Sequence, residues 1–315
     1  MAEGGYIDFH VHLPWREHDP REAARRLLAE MDSAGVERAV VIAVEPSLKL
    51  FKERVNAETI RKAAADALDY LVYMRIPRLR RILFSPEESL NEHERILVEH
   101  TRRSEDVLEA AEASGGRLLA VASYNPELGP IGTLERIKGK RYLGVKLYPT
   151  LHFCTPNEKR LRPLLDYMES EGLILIVHTG CDPGIWELPD LCSGARPSSL
   201  EPVARRHRDL VIVVAHLGSY SALKPGIYFD EALRLIERYD NVYADTSAVD
   251  SFLVELAVER VGYDKLLFGS DYPYVTGLTI ADFVESILRM NIEWRAKMAI
   301  LRWNAERLLK RLGRL

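Results

Sequence analysis

The sequence predicts an α/β fold, a (β/α)8 barrel of the TIM type with a helical insertion between strands 2 and 3. Short apolar segments alternate with amphipathic helical segments along all 315 residues, and eight apolar segments can be counted. Continuous apolar segments are typical of parallel strands that are buried on both faces. Eight strand–helix repeats favour closure into a barrel, so we expect residues 1–315 to form a single domain.

The predicted strands cover residues 6–12, 39–44, 118–123, 143–147, 173–178, 210–216, 242–245 and 265–270. Helical periodicity lies between them, for example over 20–34, 158–170 and 229–238, and two more helices follow over 280–290 and 292–312. An open doubly wound sheet is the alternative. It is disfavoured because HVHLPW follows the first strand, where such folds carry a glycine-rich phosphate loop.

Two regions depart from the regular alternation. About seventy residues separate strands 2 and 3, far more than one crossover requires. Helical patterns over 55–73 and 92–113 indicate a helical insertion over 47–115, at the catalytic end of the barrel, where it would act as a lid. The second irregular region, 179–199, is rich in glycine, proline and aspartate.

Composition excludes several classes of protein. The net charge is −4 and the pI about 6.2, without the basic excess that nucleic-acid binding requires. No apolar segment reaches the ~18 residues of a membrane helix. The start of the chain lacks the basic and apolar segments of a signal peptide. We therefore expect a cytoplasmic protein with a small-molecule substrate and neither a nucleic-acid nor a membrane partner.

The three cysteines, Cys154, Cys181 and Cys192, form no CxxC pair. A disulfide between Cys181 and Cys192 is one alternative. In a reducing compartment free thiols are favoured, and this is our expectation.

Histidines and one aspartate occupy the carboxyl ends of predicted strands. His10 and His12 end strand 1, and because residues i and i+2 of a strand share a side, their imidazoles project together. His178 ends LILIVH, His216 ends LVIVVAH, and Asp271 follows LLFGS. Barrel enzymes place their active sites at this end, and imidazole is a good ligand for divalent ions. One such histidine is usually structural, but five convergent groups indicate a metal site.

Lys146 lies in GVKLYP on predicted strand 4. Three roles stay open for it: pairing with an acid at the barrel mouth, binding substrate as a cation, or bridging two metals after carbamylation.

These motifs resemble the amidohydrolase superfamily, and within it the amidohydrolase-2 group. DFHVH, GVKLYP, IVHTG, AHLG, NVYADTSA, FGSDYP and the closing NAERLL carry the resemblance over almost the full chain, the insertion least of all. It implies that His10, His12, His178 and Asp271 bind the catalytic metal. It also implies that His216 is either a general acid/base or a ligand of a second metal, and that Lys146 stands where some relatives carry a carbamylated lysine.

The resemblance implies a metal-dependent hydrolase that uses a metal-activated water on an amide, lactone or ester bond of a small molecule. Zinc is the expected ion, with one or two bound. The alternative is a non-oxidative decarboxylase of an aromatic or unsaturated carboxylic acid; because the decarboxylases usually lack the lysine, Lys146 favours hydrolysis. A non-catalytic metal-binding barrel is disfavoured, since every expected ligand position is intact. Dimers are common among such enzymes, so a homodimer stays an expectation.

Candidates for specificity lie outside this cluster. The insertion carries four arginines that could clamp an anion, although a solvated basic face is favoured. Three aromatic residues near strand ends could line a pocket, or could simply pack within loops. These seven residues are Arg75, Arg78, Arg80, Arg81, Trp15, Tyr148 and Trp186.

Overall fold

The structure is a computed structural model that describes residues 4–66, 84–181, 189–221 and 224–315, with Arg75, Pro77 and Arg80. Within these residues, eight strands form one sheet in the order of the sequence, and every neighbouring pair is parallel. The strands are β1 Tyr6–Val11, β2 Val36–Ile42, β3 Leu118–Ser123, β4 Gly144–Leu147, β5 Ile174–Gly180, β6 Val211–Tyr220, β7 Val242–Asp245 and β8 Leu266–Leu267. The predicted barrel is confirmed.

Backbone hydrogen bonds join β1 to the segment that follows β8. Phe9 N–H donates to Phe268 O at 2.7 Å, and Asp271 N–H donates to His10 O at 2.8 Å. The segment after β8 therefore lies beside β1, and this places Asp271 next to His10 and to His12, which follows the strand.

Helices connect the strands and cover the outside of the sheet. They are α1 Pro20–Ser33, α2 Leu48–Arg54, α3 Ala57–Asp66, α4 Pro86–Glu99, α5 Ser104–Ala113, α6 Gly129–Ile137, α7 Pro149–His152, α8 Arg162–Ser170, α9 Glu201–Arg206, α10 Phe229–Arg238, α11 Ser251–Val261, α12 Ile280–Arg289, α13 Trp294–Met298 and α14 Asn304–Arg311. Short 3-10 turns at Lys159–Leu161, Pro189–Ala195 and Pro197–Leu200, and a π turn at Ala299–Trp303, complete the description.

The apolar core has two layers. An outer layer between sheet and helices contains one set of strand side chains, such as Val145 and Val177. An inner layer fills the barrel with the opposite set, such as Ile174 and Ile176, and Leu308 and Leu309 of α14 belong to it. Strand side chains alternate between the two layers, as the pleat of a strand requires.

Strand β1 breaks this alternation at the point where the histidines begin. Ile7 and Phe9 belong to the inner layer, whereas Val11 belongs to the outer one. The pairing of β1 with β2 shifts between Asp8 and Val11, which inserts one extra residue into β1. This bulge turns His10 and His12 into the barrel.

The region between β2 and β3 differs from its prediction in one respect. The helix predicted over 92–113 is two helices, α4 and α5, separated by residues 100–103. At this break, Arg102 forms an antiparallel bridge with Val44, with both backbone hydrogen bonds within 2.9 Å. The prediction of a single helix was wrong. Helical periodicity is a local pattern, and it carries no information about a pairing between residues as far apart in the sequence as Val44 and Arg102. The helix predicted over 55–73 is described only to Asp66.

Cys181 and Cys192 form a disulfide, with their Cα atoms 5.3 Å apart, and Cys154 is a buried free thiol. The expectation of three free thiols is therefore wrong. The bond links the end of β5 to the 3-10 turn Pro189–Ala195. Among the helices of the described residues, none has the length and apolar character needed to cross a membrane.

Candidate metal centre

His10 of β1 and His12, just after that strand, are buried and direct the same nitrogen, Nε2, to one point. His10 Nδ1 lies 2.9 Å from Asp245 Oδ2, and His12 Nδ1 lies 2.9 Å from Ile42 O. Each Nδ1 therefore carries the proton and donates it, which leaves the lone pair of the ring on Nε2. His10 Nε2 and His12 Nε2 lie 3.4 and 3.3 Å from the same atom, Asp271 Oδ1.

Asp271 reaches this position through an unusual backbone. Its φ is 59°, in the left-handed region that aspartate adopts more readily than most residues. Two residues earlier, Gly269 passes so close to its neighbours that a Cβ there would lie 2.9 Å from Cβ of His10 and 3.0 Å from Cβ of Ser247. Only glycine fits at this point of FGSDYP, and it lets the chain after β8 approach the first histidine.

His216 is redirected in a similar way. Ala215 belongs to the inner layer, so a regular strand would turn His216 outward, toward the helices. Instead φ is 60° at His216 and 50° at Leu217, and the imidazole lines the central cavity. Such backbone costs free energy and persists where the surrounding structure enforces it, commonly at functional sites.

His216 and His178 contact each other directly. His216 Nδ1 lies 3.0 Å from Ser247 O and 2.8 Å from Ser247 Oγ, and its Nε2 lies 3.0 Å from His178 Nδ1. Nδ1–H thus donates to the carbonyl of Ser247, and the lone pair of His216 is on Nε2.

Asp245, the last residue of β7, orients the ring of His10 and holds the backbone of His216. Its Oδ2 accepts from His10 Nδ1, and its Oδ1 accepts from His216 N–H at 2.9 Å and Ser247 N–H at 3.2 Å. Carboxylates commonly hold metal-binding imidazoles in this way. Asp245 and Ser247 are not among the predicted site residues, although Asp245 satisfies the same criterion as the others: a polar residue at the tip of a buried strand.

Lys146 is completely buried and belongs to the same cluster. Its Nζ lies 3.4 Å from His10 Nε2 and 5.1 Å from the ring centroid of Tyr148. Burial lowers the pKa of Lys146 to about 8, against the opposing charges of Asp245 and Asp271. A lysine with this pKa exists partly as the free amine near neutral pH, which is the form that reacts with carbon dioxide.

Burial also sets the charge of the other groups. It holds the pKa values of His10 and His216 well below their ordinary range, reinforced at His10 by the charge of Lys146 and at His216 by the neighbouring His178. Both rings are therefore neutral at pH 7, the form that binds metals. Beneath them, burial raises the pKa of Asp8 to about 7 even though the carboxyl accepts hydrogen bonds from the N–H groups of His10 and Ser270.

The four histidines and Asp271 line one cavity. Apart from the histidines and Asp271, apolar and phenolic side chains form its walls: Val44, Tyr148, Leu151, Tyr220 and Tyr274. The tyrosines would supply flat apolar surfaces to a small molecule. Of these wall residues, only Tyr148 was among the predicted candidates; Tyr220 ends β6, and Tyr274 directly follows the FGSDYP motif.

All six predicted site residues thus lie in one buried cluster. The ligand atoms of His10, His216 and Asp271 lie within 4.8 Å of one another. His12 joins them through Asp271, His178 through His216, and Lys146 through His10. Neutral imidazoles with oriented Nδ1 atoms, converging with a carboxylate, fit a divalent metal ion.

The remaining candidates lie elsewhere. Arg75 and Arg80 are exposed and do not line the cavity. Arg78, Arg81 and Trp186 lie outside the described residues. Trp15 lines a neighbouring cavity, together with Tyr274.

A parallel barrel with imidazoles and carboxylates gathered at the carboxyl ends of its strands has the architecture of a barrel enzyme. The model of the amidohydrolase family, in its amidohydrolase-2 form, matches residues 7–311, and the chain belongs to this family. No curated protein matches the chain.

Solved structures share the fold at low sequence identity. An uncharacterized TIM-barrel protein from Bordetella bronchiseptica has a TM-score of 0.64 and 18% identity, over 98% of this chain and 99% of that one. A probable 2-pyrone-4,6-dicarboxylic acid hydrolase from Acinetobacter baumannii has a TM-score of 0.60 and 15% identity, over 97% and 99%. A 5-carboxyvanillate decarboxylase from Novosphingobium aromaticivorans, complexed with manganese, has a TM-score of 0.60 and 14% identity, over 98% and 96%.

Proposed function

We propose that the chain is a metal-dependent hydrolase that cleaves an amide, lactone or ester bond of a small molecule. One observation carries the proposal: His10 and His12 direct their Nε2 lone pairs at a single oxygen of Asp271, and each Nδ1 is already held by another acceptor. A pair of buried rings fixed in this way is prepared to bind a cation, and membership of the amidohydrolase family supports this interpretation.

The proposed ligands are His10, His12, His178 and Asp271, with zinc as the expected ion. Bound there, a divalent ion would act as a Lewis acid on a carbonyl oxygen and would lower the pKa of a coordinated water toward about 7. The manganese bound to the decarboxylase neighbour supports a divalent ion at this site, whether zinc or manganese.

His216 is the proposed proton-transfer group. Its Nδ1–H donates to Ser247 O, so its basic nitrogen, Nε2, faces His178 and the cavity. It would accept a proton from the attacking water at Nε2 and deliver it to the leaving group, a role that Asp271 could share. The proximity of His216 to His10 and Asp271 also fits its alternative role, ligand of a second ion bridged by a carbamylated Lys146.

A decarboxylase is the second candidate, and the cavity walls favour it. Tyr148, Tyr220 and Tyr274 would accept the flat ring of an aromatic acid, and the neighbouring structures include a decarboxylase as well as a hydrolase. The buried amine of Lys146 beside His10 favours the hydrolase, because the decarboxylases of the group usually lack that lysine.

A paired assay distinguishes the two reactions. Protein stripped with a chelator is reloaded with zinc or manganese, and lactone, ester and amide cleavage is measured beside carbon dioxide release from aromatic acids. We expect metal-dependent cleavage that Asp271→Asn abolishes and that Asp240→Asn, which alters a fully exposed carboxylate, leaves unchanged. Carbon dioxide release without cleavage would replace the hydrolase by a decarboxylase. No bound metal, and no thermal stabilisation on adding zinc, would exclude both.

A further inference from the structure

A second cavity adjoins the metal pocket. Tyr274 lines both cavities. Trp15 and His100 form the aromatic side of the second cavity, and Arg16 and Arg95 are among the charged residues that line it.

Aromatic rings connect the two cavities. The ring of Tyr274 packs edge-on against His12, with 4.6 Å between the centroids. The indole of Trp15 lies 5.7 Å from Tyr274 at an interplanar angle of 25°, and stacks on His100 at 4.7 Å and 12°. A series of rings therefore leads from a proposed metal ligand to the wall of the outer cavity.

This aromatic wall is held in place before any ligand binds. The guanidinium of Arg102 donates to the carbonyl oxygens of Pro14, Trp15 and Glu17, and Tyr274 Oη donates to His100 O at 3.2 Å. Burial lowers the pKa of His100 to about 4, so its ring is uncharged at neutral pH. A platform fixed in advance loses little conformational entropy when a ligand binds.

The cavity also offers an available cation. Arg95 pairs with Glu99 at 2.6 Å, whereas Arg16, next to Trp15 in the chain, is exposed and makes no ion pair or hydrogen bond within the described part of the chain. An anionic group beside the indole would therefore find a positive charge that no acid of the described residues neutralises by direct contact.

We propose that the outer cavity is a second binding compartment, for the part of the substrate that does not react. A planar ring rests on Trp15 with an anionic substituent facing Arg16, while the reacting bond enters the metal pocket past Tyr274. The inference rests on the proposed function, since it takes the metal pocket as the reacting compartment. It assigns an elongated substrate, with a planar anionic group at one end and the bond to be cleaved at the other.

Binding of 2-naphthoate, a planar ring with one carboxylate, tests the compartment without turnover. Calorimetric titration is performed on the chelator-treated and metal-loaded protein, with tryptophan quenching as a second readout. We expect saturable binding in both forms. Trp15→Ala should weaken it by roughly 2- to 10-fold, the range for one aromatic stack, and Trp15→Phe by less. Trp294→Phe, at a tryptophan that is 62% exposed and does not line this cavity, should leave it unchanged.

The charge is tested separately. Arg16→Met should weaken binding of 2-naphthoate but not of the neutral 2-naphthamide, and this difference should shrink in high salt because exposed charges are screened. Equal affinity in the wild type and Trp15→Ala, or no saturable binding, would overturn the compartment. Trp15-dependent binding without any turnover would reject the proposed function alone, whereas turnover of short substrates without Trp15-dependent binding would reject the compartment alone.

Discussion

The carboxylate of Asp245 lies 2.9 Å from Nδ1 of His10 and determines which nitrogen of that ring is free to bind a cation. In Asp245→Asn, the amide oxygen stays with its two backbone donors, and the NH2 group faces His10 where the carboxylate accepted a hydrogen bond, so His10 loses its preferred tautomer. We expect metal affinity to fall by roughly 10- to 100-fold, the usual cost of losing such a partner. Competition with a chromogenic chelator measures this, and Asp240→Asn is the control. Unchanged affinity would show that Asp245 is not needed to orient the ring.

His216→Asn should separate proton transfer from metal binding. The amide keeps a polar group in the cavity but cannot exchange a proton near neutral pH, so kcat should fall by roughly 10²- to 10⁴-fold. Metal content, measured by elemental analysis, should stay as in the wild type. Loss of one equivalent of metal would instead assign His216 as a ligand of a second ion.

His152 predicts a dependence of stability on pH. The ring is completely buried; Nδ1 accepts from Tyr148 N–H, and Nε2 lies 3.1 Å from Glu45 O. Burial lowers its pKa from 6.5 to about 3, so between these values the unfolded chain binds a proton that the folded chain does not. The free energy of unfolding should therefore fall as pH decreases from 6.5 to 3, by up to about 1.4 kcal/mol per pH unit from this group.

Urea unfolding of the wild type and His152→Gln over this range measures the contribution. The variant is less stable overall, but its stability should depend less on pH. The exposed His18→Gln serves as control, and a pH dependence that His152→Gln leaves intact would contradict the assignment.

The disulfide predicts a response to reductants. Thiol titration of the unfolded, unreduced protein should find one cysteine, Cys154, and three after reduction. Cys181 and Cys192 are 11 residues apart, and closing a loop of that size is worth about 3 kcal/mol on the chain-entropy model. Cys192→Ser should therefore lower the Tm, whereas Cys154→Ser should leave the disulfide between Cys181 and Cys192 intact. Three reactive thiols without reductant would show that the bond is absent.

Periodicity and strand ends were sufficient to predict much of this molecule. The alternation of apolar and helical segments predicted the barrel, and polar residues at strand tips predicted five members of the cluster, because parallel strands bring all their carboxyl ends to one rim. Asp245 could have been found by the same criterion. The inward direction of the His216 imidazole could not have been predicted in this way, because it depends on a left-handed φ that the residue type does not encode. Lys146 lies within β4, and the family resemblance indicated it.

Pairings over long distances in the sequence were equally inaccessible. The bridge between Val44 and Arg102 ends α4, and no local pattern marks it. The bond between Cys181 and Cys192 was one of the alternatives, but an argument from the cellular compartment favoured free thiols. Whether two cysteines meet is decided by where the loops place their Cα atoms.

The extra residue in β1 has a consequence for any attempt to transplant this centre. Suppose that residues 6–12 were grafted onto an ideally pleated strand that kept Ile7 and Phe9 inside. Both imidazoles would then point outward, under the surrounding helices, where no cation could reach them. A transplant of the centre must therefore include the bulge of β1 as well as the two histidines.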